Sequence, residues 1–140
     1  MFRAFNRDTH VAKQTLNHIK LQTHPLLIGM DFGLTPACTI NQIDAQGRLL
    51  TFNDLVSEGM GTLRFCREKL KPLLANKFPG MNVLIIGDPA GQQRAQTDEK
   101  SVFDILKQEG FQVIPARTNS IVARINAVES FLSGMAAGKP

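Results

Sequence analysis

Leu26-Leu27-Ile28-Gly29-Met30-Asp31-Phe32-Gly33 and Val83-Leu84-Ile85-Ile86-Gly87-Asp88-Pro89-Ala90-Gly91 are the two stretches whose reading decides the fold. Each is an apolar run of strand length that ends in a carboxylate and then turn residues. Such runs, punctuated by Gly and Pro, read as fully buried strands. An unpaired carboxylate at the end of a buried strand is costly to desolvate, so stability alone does not put it there. Set side by side, the two strands bring Asp31 and Asp88 to one edge of a sheet. Like charges at close range need a cation between them, and an all-oxygen ligand set suits Mg²⁺ or Mn²⁺. That is the starting geometry for two-metal phosphodiester chemistry.

Working outward, residues 37–43 and 48–56 read as the second and third strands. Asp44-Ala45-Gln46-Gly47 joins them as a hairpin turn, with Gly47 at the left-handed position. Thr62 is expected to cap a helix that puts Leu63, Cys66, Leu70 and Leu73 or Leu74 on one face. The opposite face carries Arg64, Arg67, Glu68, Lys69 and Lys71, a solvated charged surface for which nonspecific DNA binding is the alternative. Pro79-Gly80 closes that region before the central strand 83–87. Thr97 or Asp98 is expected to cap a second helix with Val102, Phe103 and Leu106, which Gly110 stops. Asp98 and Glu99 then read as first-turn charges complementing its dipole. Residues 111–114 form a fifth strand, and Asn119 or Ser120 opens a third helix with Ile121, Ile125, Val128 and Leu132 at helical spacing. Residues 1–25 read as an N-terminal arm or linker remnant, 26–134 as the folded domain, and 135–140 as a flexible tail.

The order β-β-β-α-β-α-β-α predicts an α/β fold. Three antiparallel strands lead into two parallel strands reached by right-handed helical crossovers. This is a ribonuclease-H-like mixed five-stranded sheet flanked by helices on both faces. In it the first and fourth strands are neighbours.

The 140 residues suffice for one domain with a real core. No apolar stretch approaches a membrane span, and no signal peptide is visible. Cys38 and Cys66, with no CxxC spacing, read as reduced, buried thiols of a cytoplasmic protein. A net charge of +4 and a pI near 9.4 are compatible with a polyanionic partner. With no Trp or Tyr, a single-strand binder built on aromatic stacking is disfavoured. His10, His18 and His24 fall at irregular spacings and do not form a ligand set.

From about residue 25 to 132 the chain resembles the nuclease domain of the large terminase subunit of tailed bacteriophages. The resemblance is carried by Gly29-Met30-Asp31-Phe32-Gly33-Leu34-Thr35-Pro36-Ala37, Gln42-Ile43-Asp44-Ala45-Gln46-Gly47-Arg48, Gly87-Asp88-Pro89-Ala90-Gly91 and Pro115-Ala116-Arg117-Thr118-Asn119, with Arg124 and Val128 following. It implies a metal-dependent endonuclease that cuts double-stranded concatemeric phage DNA in the host cytoplasm. The implied partners are the packaging ATPase domain, the small terminase subunit and the portal. The matching catalytic and metal-binding positions are Asp31 and Asp88. The family's further acidic residue, from a later helical segment, has no match before Pro140, where Glu129 is the only acid of the last helix. A Gly-x-x-x-x-Gly-Lys-Ser/Thr loop is also missing, so the expectation is of an excised or truncated piece.

Around that pair, Arg94, Arg117 and Arg124 fall in or just after loops at the same sheet edge. They are candidates for contact with DNA phosphate, with solvated surface arginine as the alternative. Asp54 and Glu58 near the end of the third strand are candidates for a further carboxylate, with the surface acids that hairpins routinely carry as the favoured reading. Two other classes compete. One is a non-catalytic remnant that binds DNA or docks on packaging components. The other is an actin-like ATPase lobe, suggested by Asp31-Phe32-Gly33-Leu34-Thr35, although that architecture needs two lobes. A kinase reading of Asp31-Phe32-Gly33 fails for want of any accompanying motif.

Overall fold

Side chains alternate along β1 (Leu26–Asp31): Leu26, Ile28 and Met30 enter the core, while Gly29 and Asp31 stay exposed. This first strand is therefore buried on one face, where the unbroken apolar run predicted burial on both. The computed structural model describes residues 2–21, 23–92 and 100–134. Its sheet has the order β3-β2-β1-β4-β5. Strand β2 (Ala37–Ile43) pairs antiparallel with β1 and with β3 (Leu49–Val56), while β4 (Val83–Gly87) pairs parallel with β1 and with β5 (Gln112–Pro115). The expected ribonuclease-H-like sheet, three antiparallel strands and then two parallel, is the one observed.

The β2–β3 hairpin turns at Gly47, whose φ of 81° is left-handed. Asp44 organises the turn, accepting from the backbone N–H groups of Gln46 and Arg48 and pairing with the Arg48 guanidinium at 2.7 Å. Further along, Ile40 faces Asn53 but Asn41 faces Thr51, so Phe52 is an extra residue, a β-bulge in β3. The bulge lets Phe52 pack against Phe78, with ring centroids 5.8 Å apart. It also sets Asp54 opposite Thr39, on the face that carries Gly29 and Asp31.

The covered face of the sheet packs Ile28, Ile40, Ile85 and Val113 against Phe65, Leu70, Leu74, Phe103 and Leu106. The first crossover is not one regular helix. It runs as α2 (Thr62–Phe65), a π turn over Cys66–Leu70, and α3 (Lys71–Lys77). Pro72 has no N–H to give the Glu68 carbonyl, and the Lys71 N–H reaches back to Cys66 instead. Two expectations are corrected here. Gly61, not Thr62, holds the N-cap position, without a side-chain cap bond. Leu63 stands 38% exposed, while Phe65 takes the buried position.

Arg67 and Lys71 both reach Glu109 at 2.6 Å, tying this crossover to the end of α4 (Val102–Gln108). Arg64 pairs with Glu68 on the same helix. Much of the expected solvated basic face is thus neutralised within the chain. Ser101 caps α4 through a capping box with Asp104, in place of the expected Thr97 or Asp98. Those two residues, with Arg94 and Glu99, lie outside the described residues, as does the tail 135–140.

Among the described residues no helix packs closely on the other face. Helix α5 (Ile121–Ser133) begins at a Ser120 cap, but none of its residues is buried and Ile121 is 70% exposed. Its apolar stripe exists in sequence without being packed on the sheet. The first residues of the chain, including α1 (Arg7–His10), meet α5 through the Arg3 N–H on Glu129 and His10 beside the Leu132 carbonyl. Gln42, fully buried on β2, brackets Ile19 by bonding both its N–H and its carbonyl, and donates to the His24 carbonyl as well. His18 packs edge-on against Phe78 at 5.1 Å. Cys38 and Cys66 are free and buried, and burial pushes their thiols up to about 12 and about 11. Among the described residues no helix is long and apolar enough to cross a membrane.

Candidate carboxylate site at the sheet edge

Met30 of β1 lies opposite Gly87 of β4 in the parallel pair. Asp31 and Asp88 are the next positions on two strands about 4.8 Å apart. Alternation turns both toward the face opposite the covered one. There they line a cleft of about 430 Å³ with Thr39, Asp54, Asn119 and Arg124. Strands β1 and β3 and the turn directly after β4 supply the three carboxylates, and the segment between β5 and α5, with the first turn of α5, supplies the amide and the guanidinium.

The two central carboxylates are held differently. Asp31 has one long contact, accepting from the Gly33 N–H at 3.4 Å. Asp88 accepts at a single oxygen, Oδ1, from the Ala90 N–H and from Asn119 Nδ2, both at 2.8 Å. The Asn119 bond, then the Ala90 bond and the nearby Arg124 charge, lower the Asp88 carboxyl below its ordinary value, so it is ionised at neutral pH. Among the described residues nothing donates to Asp88 Oδ2.

Beneath them the two Asp-bearing turns are locked together by an aromatic ring. Phe32, immediately after Asp31, sits where a side chain on Gly87 would project. A Cβ at Gly87 would lie 2.2 Å from two Phe32 ring atoms, and one at Gly91 would lie 2.7 Å from Phe32 and Phe103. Phe32 and Phe103 pack edge to face, 5.6 Å between centroids. Glycine is required here by close approach.

The donor set is all oxygen, with two adjacent carboxylates and open positions around them. Mg²⁺ is commonly bound this way, through one or two carboxylates plus waters and substrate phosphates. Among the described residues no group of three His, Cys, Asp or Glu side chains is close enough to hold an ion by itself. The chain's own residues thus fit a cation that arrives with waters or a phosphate, and do not fit a closed protein cage.

Of the arginines singled out from sequence, Arg124 lines the cleft, and Arg117 is exposed on the neighbouring segment without lining it. Arg94 is outside the described residues. Glu58 is exposed beyond β3 and does not line the cleft, and Glu129 accepts from the Arg3 N–H instead. Of the two candidates for a further carboxylate, Asp54 is in the cleft because of the bulge. Asn119 was legible as a helix opener and as part of a segment that carries the resemblance, but its bond to Asp88, 31 positions away, was not.

No protein-family model matches this chain, and no curated protein does either. Solved structures do match. Two crystal forms of the large terminase from a thermophilic bacteriophage align with TM-scores of 0.70 and 0.71, at 16% and 18% identity over 94% of this chain. The nuclease domain of the P22 large terminase aligns with a TM-score of 0.57, at 12% identity over 80% of this chain. The chain has the fold of the large-terminase nuclease domain. It spans 32% and 30% of the thermophilic phage's terminase chains and 59% of the P22 nuclease domain chain. At such identities the likeness is one of fold.

Proposed function

We propose that this chain is a terminase-type nuclease domain that cuts double-stranded phage DNA with Mg²⁺ or Mn²⁺ held at Asp31 and Asp88. The observation that carries this reading is the β1–β4 register, which sets the two carboxylates side by side on one face of a terminase-like sheet. The ions, two when the site is filled, would supply an activated water and stabilise the departing 3′ oxygen. Asp31 and Asp88 would hold them. Asp88 stays ionised because Asn119 and the Ala90 N–H share its Oδ1. Arg124, in the cleft, binds the phosphate beside the scissile bond, and Arg117 and Arg94 bind along the backbone. The packaging ATPase domain, the small terminase subunit and the portal are the partners this role entails.

The shortage of ligands in the cleft favours one second reading. Among the described residues no third carboxylate completes an ion site, and a chain of this kind can bind DNA or dock on packaging components without cutting. Supercoiled-plasmid nicking with Mn²⁺, Mg²⁺ or EDTA decides between the two. Metal-dependent nicking that is lost in both Asp31→Asn and Asp88→Asn supports the nuclease. Salt-sensitive DNA binding by folded protein with no nicking supports the binder.

A further inference from the structure

We infer that Asn119 is a positioning residue of the carboxylate site: its amide holds Asp88 in the one orientation that leaves Oδ2 free for a cation. The inference rests on the metal reading proposed above. A carboxylate offers two oxygens and rotates readily unless both its contacts and its backbone are fixed. Here two donors converge on Oδ1, and they come from different parts of the chain. The Ala90 N–H belongs to the 3₁₀ turn Pro89–Gln92, which follows Asp88 directly. The Asn119 amide comes from the connection between β5 and α5.

That connection is itself anchored at both ends. The Ala116 N–H donates to the Gly87 carbonyl at 2.8 Å, next to Asp88. The Ser120 backbone N–H, which any residue at that position keeps, donates to Thr118 Oγ1 at 3.0 Å. Asn119 is therefore presented from a fixed base, and its donor saturates Oδ1. A carboxylate at the same position would repel Asp88, and an apolar side chain would leave it free to turn. The neutral amide does neither. Residues that orient a metal-binding carboxylate in this way typically change metal affinity by about 10–100-fold when removed.

The test is Mn²⁺ affinity of the full chain, measured by electron paramagnetic resonance of free Mn²⁺, for wild type, Asn119→Ala, Ser120→Ala and Asp31→Asn. Thermal unfolding of each is recorded alongside. The expected result is Mn²⁺ binding weakened about 10-fold or more in Asn119→Ala, with a thermal midpoint near wild type because Asn119 is exposed. Ser120→Ala removes the α5 cap without touching Asp88, and is expected to lower the midpoint and leave Mn²⁺ affinity unchanged. A purely structural Asn119 would behave like Ser120. Wild-type affinity retained within about twofold in Asn119→Ala, well short of the expected loss, overturns the positioning role while leaving the metal reading intact. Wild type that binds Mn²⁺ no better than Asp31→Asn overturns the metal reading and this inference with it.

Discussion

Replacing Gly87 with Ala tests whether the Phe32 ring locks the two Asp-bearing turns. The added methyl would sit 2.2 Å from Phe32 Cε2 and Cζ and 3.4 Å from Phe103 Cε1. The ring cannot simply retreat, because it also fills the space above Gly91 and packs edge-on against Phe103. Overpacking of this kind costs about 1–3 kcal/mol, and the lost aromatic pair adds about 0.5–1.5 kcal/mol. A loss of about 3 kcal/mol is expected, or roughly 10 °C in thermal midpoint for a chain of this size. Phe32→Ala alone removes a half-buried ring and should cost about 2 kcal/mol. Once the ring is gone, the new methyl at position 87 has room. The double variant should then lose little more than Phe32→Ala, a coupling of about 3 kcal/mol. Urea unfolding of wild type, both single variants and the double provides the cycle. Gly33→Ala, where a Cβ meets nothing within 4 Å, is the control and should be neutral or slightly stabilising. Single-variant losses that add within about 0.5 kcal/mol would refute the proposed contact, and with it the account of how Asp31 and Asp88 are kept in register.

Three further outcomes follow from the same structure. Gln42→Leu leaves the Ile19 N–H and carbonyl and the His24 carbonyl without their buried partner; a stability loss of about 2–4 kcal/mol is expected, with limited proteolysis cutting first between residues 11 and 25. Glu109, bonded by Arg67 and Lys71, has its carboxyl lowered from 4.5 to about 2. A lowered folded-state value means its stabilisation is full above pH 4.5 and is lost as pH falls toward 2. The difference in thermal midpoint between wild type and Glu109→Gln should therefore be largest at neutral pH and close between pH 4.5 and 2. Ser101→Ala breaks the α4 capping box and should cost about 1 kcal/mol, read from the shift in urea midpoint at unchanged slope.

The strand order was legible because apolar runs, Gly47 and the two helical crossovers each constrain it locally, and every local choice agrees with the same sheet. The meeting of Asp31 and Asp88 followed from that order alone. Features set by contacts between distant segments were not legible. Nothing in the sequence near Asn119 announces Asp88, and nothing near Phe52 announces an extra residue that Phe78 and His18 accommodate. Pro72 did carry a signal for the π turn, since its missing donor must be absorbed somewhere in the preceding turn. The spacing of Ile121, Ile125, Val128 and Leu132 predicted the last helix, and α5 is that helix. Periodicity reports only that a helix has an apolar side, and α5 keeps that side exposed.

The bulge at Phe52 makes the second half of β3 sensitive to length in a way that composition does not reveal. Inserting one residue after the bulge would slide Asn53 to Val56 by one position along β2 and so to the opposite face. Asp54 would then turn into the packed layer, and Leu55 would turn out beside Asp31. No side-chain substitution reproduces that inversion, and none repairs it. A single-residue insertion there should be far more damaging than deletion of Phe52, which leaves Thr51 opposite Asn41 and Asn53 opposite Ile40 in a regular ladder.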